Sequence, residues 1–272
     1  MDNYLYYLLL YILNKEVETL NKKGQITLFI ILGIILIAVV ILGFTLKDKF
    51  MKTSSEDEAA LIASLPPDIA EVRKEIDSCS QFVLEEAILE VGNYGGYNSP
   101  LENSLEVEDV FVTYGYLEGR NVLPTISVIE EEINEYVETF LPDCANLESF
   151  DFEISSKNPN VKVEILDGKV IAEVNYEVTI IKEGNEFKID NPYYSEVEVK
   201  FKEIYDLALD IINKVAQEPT QVDISYLLDL GWDIDVVPVD DKTVVYSIPD
   251  TESILSNLEG ETNFVYAFAT KA

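Results

Sequence analysis

Histidine is absent from this chain of 272 residues. That one absence removes the usual general base, the commonest metal ligand and the usual pH switch. Carboxylates can still carry acid–base chemistry, so catalysis becomes less expected without being forbidden. Arginine is nearly absent too: only Arg73 and Arg120 stand beside 17 lysines, a bias that with the abundant isoleucine fits an AT-rich genome better than a physical requirement. Cysteine occurs only at positions 79 and 144. No Asn-x-Ser/Thr acceptor occurs, so N-glycosylation is not expected.

Positive charge is scarce beyond residue 54. Residues 1–54 carry six lysines against Asp2, Glu16, Glu18 and Asp48, a net of +2; residues 55–272 carry 13 basic and 47 acidic groups, a net of −34. A region this negative repels nucleic acid phosphates and anionic lipid headgroups, so neither is an expected partner of that region. It should be soluble and attract cations or basic partners, although a solvated acidic surface explains the charge by itself. Adaptation to high salt is the weaker explanation, because lysine and isoleucine are both plentiful.

What the chain does contain is a long apolar run. Residues 26–46, ITLFIILGIILIAVVILGFTL, are 21 residues without a charge, and Thr27 and Thr45 are their only polar side chains. As a helix the run spans roughly 31 Å, the thickness of a hydrocarbon core, and it is apolar on every side. It is predicted to be a transmembrane helix held by membrane lipid. The charge count does not orient it, since Lys15, Lys22 and Lys23 precede it and Lys47, Lys49 and Lys52 follow.

The cysteines break that tie. Residues 68–91 are predicted to form an amphipathic helix with Ile69, Val72, Ile76, Cys79, Val83 and Ala87 on one face. Residues 125–141 form a second, with Ile126, Ile129, Ile133, Tyr136, Val137 and Phe140 in step, and Cys144 just past its end after Pro142. A Cys79–Cys144 bridge would tie the first core face to the foot of the second helix, worth roughly 4 kcal/mol in a chain-entropy treatment. Two buried free thiols are the alternative. A disulfide belongs outside a reducing cytosol, so the C-terminal domain is expected to be extracytoplasmic.

Ahead of the span, residues 4–13 (YLYYLLLYIL) are apolar but too short to cross a bilayer, and suit its interface. A start at Leu20, from a UUG codon, would leave a short basic end before the apolar run, the layout of a signal-anchor; residues 1–19 would then be untranslated. Lys22, Lys23 and Gly24 before the run resemble the class III signal peptide of archaeal type IV pilins and archaellins. That resemblance implies cleavage between Gly24 and Gln25 and assembly of the apolar helix into a filament core. The fifth residue after the cut is often Glu in that family and is Phe29 here. More broadly, KKGQITLFIILGIIL (22–36), the Cys79 helix leading into YGGY (94–97), YGYLEGRNVLPTISVIEEEI (114–133) and VPVDDKTVVYSIPD (237–250) resemble uncharacterised single-pass membrane proteins of small-genome archaea, of the woesearchaeal and pacearchaeal kind. The resemblance implies an N-terminal anchor and a surface domain, and carries over no functional residues.

The expected organisation is an N-terminal segment (1–25), the span (26–46), an acidic stalk (47–64) and one antiparallel α+β domain (65–272). After Gly92, Gly95 and Gly96, which suit a turn at a helix end better than a phosphate cradle, residues 107–116 alternate as a strand and Glu118-Gly119-Arg120 turns. Strands 161–166 and 169–181 flank Asp167-Gly168, the best hairpin signal. Glu183-Gly184-Asn185 marks another turn, with strands near 186–190 and 195–201. Ile204, Leu207, Ala208, Ile211 and Val215 mark a third helix, a short helix runs to Gly231, and strands follow at 232–237, 243–248 and 263–269.

Candidate chemistry is thin. Asp233 and Asp235 flank Ile234 in an expected strand, with Asp240 and Asp241 in the next turn; such oxygen ligands could hold Ca²⁺, but they lack EF-hand spacing and chance explains them in so acidic a chain. The primary expectation is no metal and no cofactor. Glu130, Glu131 and Glu132 suit the first turns of a helix, where negative charge favours the dipole. Carboxylate pairs for a glycosidase are too many to discriminate, and no serine motif places a lysine at a strained elbow. Tyr94, Tyr97, Tyr114, Tyr116, Tyr193 and Tyr194 suggest either an aromatic surface or strand packing. The expectation is a non-enzymatic, membrane-anchored surface protein with a binding or structural role and protein partners outside the cell; the alternative is a pilin-like subunit processed after Gly24.

Overall fold

Two helix-plus-sheet halves share one long helix. The computed structural model describes residues 66–107, 110–189, 192–219 and 221–272, with the side chain of Asp68 left aside. The predicted span at 26–46, the stalk and the Gly24–Gln25 junction lie outside the described residues. Among the described residues, no helix is long and apolar enough to cross a membrane.

The shared helix is α1 (Pro67–Asn93), with proline in its first turn, where the missing N–H costs nothing. Its predicted face is buried throughout: Ile69, Val72, Ile76, Cys79, Val83 and Ala87 are each at most 5 % exposed. Gly92 ends it where only a bare Cα fits. A Cβ there would lie 2.4 Å from the Val265 carbonyl oxygen and 2.5 Å from the Phe264 ring.

Strands β1 (Leu105–Val107) and β2 (Val110–Val112) form a small hairpin, and β3 (Tyr114–Leu117) and β4 (Arg120–Asn121) follow. The single strand expected at 107–116 is thus split between two sheets, while the turn at Glu118–Gly119 forms as expected. Helix α2 (Ile126–Ala145) runs beyond its predicted end, through Pro142, so that Cys144 lies on the helix. The burial of Leu141 and Ala145, and the left-handed Asn146 whose N–H returns to the Pro142 carbonyl, offset the donor that proline removes. Phe140, expected in the core, is 43 % exposed and packs on Tyr136 with ring centroids 4.4 Å apart.

A bent three-stranded meander follows. One arm holds β5 (Glu153–Ser156) and β6 (Asn160–Leu166), the next β7 (Lys169–Asn175) and β8 (Val178–Lys182), the last β9 (Asn185–Ile189) and β10 (Tyr193–Glu198). The bend divides it into two sheets, ordered β5–β8–β9 and β10–β7–β6, all antiparallel. The strand predicted over 169–181 is therefore interrupted at Tyr176–Glu177. The Asp167–Gly168 turn closes β6 on β7 as the sequence implies, with Gly168 at φ 73°. In β6, Val161, Val163 and Ile165 face the core, and the alternate residues Lys162 and Glu164 are exposed or half-exposed.

Helix α3 (Phe201–Gln217) and the short α4 (Ile224–Asp229) lead to β11 (Asp235–Pro238), β12 (Thr243–Asn257) and β13 (Gly260–Lys271). Phe201 opens α3, so the strand that the sequence predicts near 195–201 ends early, at Glu198. The last hairpin is much longer than the predicted strands at 243–248 and 263–269. It passes through Pro249, which sits beyond the β11 ladder on a free stretch of edge, where a missing N–H is tolerated. The sheet order is β11–β12–β13–β3–β4, and β13 pairs with β3 in parallel. The fold is α+β and mostly antiparallel, with that one parallel ladder as a correction to the expected layout. Its core is aromatic: Phe201 of α3 packs on Phe264 at 4.8 Å, and Tyr246 stacks on Phe268 at 5.3 Å.

Candidate functional site

Cys79 and Cys144 form a disulfide, with Cα atoms 5.7 Å apart. The bridge joins α1 to α2. Each of these helices also guards one edge of the β10–β7–β6 sheet: Gln81 of α1 reaches β10, and Glu130, Asn134 and Glu138 of α2 reach β6.

The four aspartates considered for Ca²⁺ do not come together as a site. Asp233 precedes β11 instead of lying in it, and Asp235 begins that strand. Asp240 closes the next turn, its Oδ1 accepting the amides of Lys242 at 2.7 Å and Thr243 at 2.8 Å. Those bonds, the Lys242 amide first, hold its carboxyl below the ordinary value. Asp241 is exposed beside it. Among the described residues, no group of three or more acidic or cysteine side chains is arranged to hold a metal. The tyrosines divide as well: Tyr116 and Tyr193 are core residues, whereas Tyr194 is 58 % exposed.

A different place draws chemistry together. An open cleft of about 620 Å³ lies between β10, the start of α3 and the β12 strand, in the size range of ligand clefts. Its lining includes Gln81 and Glu85 of α1. Gln81 Nε2 donates to Glu85 Oε1 at 2.9 Å and to the Glu196 carbonyl at 3.2 Å, while Glu85 Oε2 accepts the Ser256 amide at 2.8 Å. This pair, one helical turn apart, therefore bridges the edges of two different sheets.

The walls are acidic. Glu196, Glu198, Glu203 and Glu252 line the cleft with Lys169 and Lys200. Both lysines are engaged, Lys169 with Glu196 at 2.7 Å and Lys200 with Glu252 at 2.8 Å. The Lys200 ammonium also lies 5.8 Å from the Trp232 ring centroid. Glu203 Oε2 is shielded from solvent and meets no donor among the described residues.

Asp250 shapes this region. Between Asp250 and Ile254, β12 bulges outward against consecutive partners Phe264 and Asn263 on β13. The Asp250 carboxylate, 2 % exposed, accepts the Lys200 amide at 2.9 Å, the Glu252 amide at 3.1 Å and a short bond from the Ser253 hydroxyl. Asn263 Nδ2 secures the bulge by donating to the carbonyls of Asp250 and Ser253. Burial alone would raise the Asp250 carboxyl, but the Ser253 hydroxyl, the two amides and the Lys200 ammonium hold it below the ordinary value.

Sequence reasoning missed the cleft. The Glu196-x-Glu198 alternation in β10 hinted at an acidic strand face, but nothing local places it opposite Glu252. No family model, curated protein or solved structure matches this chain.

Proposed function

We propose that this is a single-pass membrane protein, anchored by residues 26–46, whose C-terminal domain lies outside the cell and binds a protein partner. The observation that carries the reading is the Cys79–Cys144 disulfide. A structural bridge persists where the surroundings are oxidising, and the chain has no third cysteine to exchange with. The uncharged length of residues 26–46 supports the anchor, and lipid satisfies a helix that needs only its own backbone bonds. The cleft, with acidic walls and no nucleic-acid-binding charge, supports a binding role for the domain.

The test is protease added to intact cells. The reading expects the domain to be degraded without lysis; full protection until lysis would place it in the cytosol. N-terminal sequencing of the natural chain checks the anchor. A start at Gln25, or purified filaments containing the chain, would replace the uncleaved anchor with the pilin-like subunit processed after Gly24.

A further inference from the structure

Two strand edges face the same cleft with backbone groups left over. Val199 N donates to the Gly168 carbonyl at 3.1 Å, which fixes the phase of the β10–β7 ladder. Ser195 and Val197 then turn their amides toward β7, and Glu196 and Glu198 turn theirs away. Gln81 occupies the outward carbonyl of Glu196. Further along β12, whose residues 252–255 form the opposite wall, and just past its end, the amides of Ser256 and Leu258 point outward to Glu85 and Glu86. Ile254 lies two residues before Ser256, in the same phase, beyond the last β11–β12 pair at Asp235 and Ser247. Among the described residues, no side chain meets the outward backbone of Glu198 or Ile254.

We infer that this cleft docks an extended, lysine- or arginine-bearing peptide segment, which pairs its backbone with the free edges at Glu198 and Ile254. Unpaired edge groups are a template for an added strand. The cleft holds them on either side of the Gln81–Glu85 bridge, where α1 already substitutes side-chain groups for a missing strand. The charge selects the occupant. With both lysines engaged, the exposed Glu198 carboxylate on the cleft wall offers an acceptor to a cation. Ile254, 68 % exposed, supplies an apolar contact for the uncharged side chain that alternates with it.

This deepens the proposed binding role and rests on it only for where the partner is met. The probe is a seven-residue peptide of alternating lysine and valine, blocked at both ends. It is titrated by calorimetry into the full chain in neutral detergent. Saturable binding is expected. Methylating the backbone nitrogens on one edge of the peptide should weaken it at least tenfold, and so should Glu198→Lys, a change at an exposed position. Glu131→Lys, the same charge change on the outer side of α2, should leave it within twofold. Hydrogen exchange at Glu198 and Ile254 should slow on binding. No saturable binding, equal binding of the methylated peptide, or equal loss in both variants would overturn the inference, the last two reducing it to diffuse charge attraction. Failure in detergent leaves the topology standing, and a protected domain in cells leaves the peptide result standing.

Discussion

Asn134 and Val163 meet where a helix and a strand fall into register. Asn134 Oδ1 accepts the Val163 amide at 2.8 Å, flanked by Glu130 accepting Ile165 at 2.9 Å and Glu138 accepting Val161 at 2.8 Å. Four helical residues rise about 6 Å and two strand residues about 6.6 Å. An i, i+4, i+8 row on α2 can thus cap alternate amides along β6, taking the place of a further strand.

Removing one of these acceptors strands a half-buried amide. Asn134→Ala and Glu138→Ala should each cost about 1–3 kcal/mol in denaturant unfolding, and Glu131→Ala less than about 0.5 kcal/mol. Equal effects at 131 and 138 would show that helix charge, and not edge capping, sets the cost. The double variant Glu130→Ala, Asn134→Ala should also self-associate more readily, because it bares a strand edge.

The disulfide fixes α1 against α2 while those helices hold opposite edges of one sheet. Replacing both cysteines with serine should lower stability by roughly 4 kcal/mol in the chain-entropy treatment, given the 65-residue separation. Reduction of the unaltered protein should give a similar fall in the denaturation midpoint. No change on reduction would mean that the two helices are held by packing alone.

Asp250 makes stability depend on pH in one direction. Its folded carboxyl is held below the ordinary 3.8, so its contribution is fully present above that value and lost as the pH falls through the lower folded value. Asp250→Asn should cost about 1–3 kcal/mol near neutrality, because the Lys200 amide and Ser253 hydroxyl lose a charged acceptor. It should also flatten the acid limb of the stability–pH curve. An unchanged acid limb would assign that limb to other carboxylates.

Gly92 has no room for a methyl group. Gly92→Ala drives a Cβ into the Val265 carbonyl oxygen and the Phe264 ring, and should cost at least about 1–3 kcal/mol as α1 moves off the β12–β13 hairpin. Gly231→Ala has open space around it and pays only for its positive φ of 72°. A comparable fall in melting temperature for both would argue against the close approach.

Two local signals are reproduced in the described residues, whereas the strand read over 107–116 is split and Phe140 leaves the core. The 3.6-residue spacing of Ile69, Val72, Ile76, Cys79 and Val83 forms α1, and Asp167–Gly168 closes β6 on β7. The disulfide was legible because two helices in sequence set two lone cysteines within reach, although the helix at Cys144 runs past a proline that reads locally as a stop. Pairings between distant segments were not legible. The parallel ladder of β13 with β3, and the length of β12 and β13 across a proline and a bulge, depend on which strand arrives alongside.

The cleft lies wholly on that second side. By itself the sequence determined the acidity, the lack of histidine, the uncharged run at 26–46 and the amphipathic helices, because these are properties of composition and short period. Only the tertiary structure decided that Glu85 caps Ser256, 171 residues away, and that Asp250 holds Lys200, 50 residues before it. A side chain's local spacing records the face it occupies. Which backbone edge it caps is set by packing between elements, and no short-range periodicity encodes that choice.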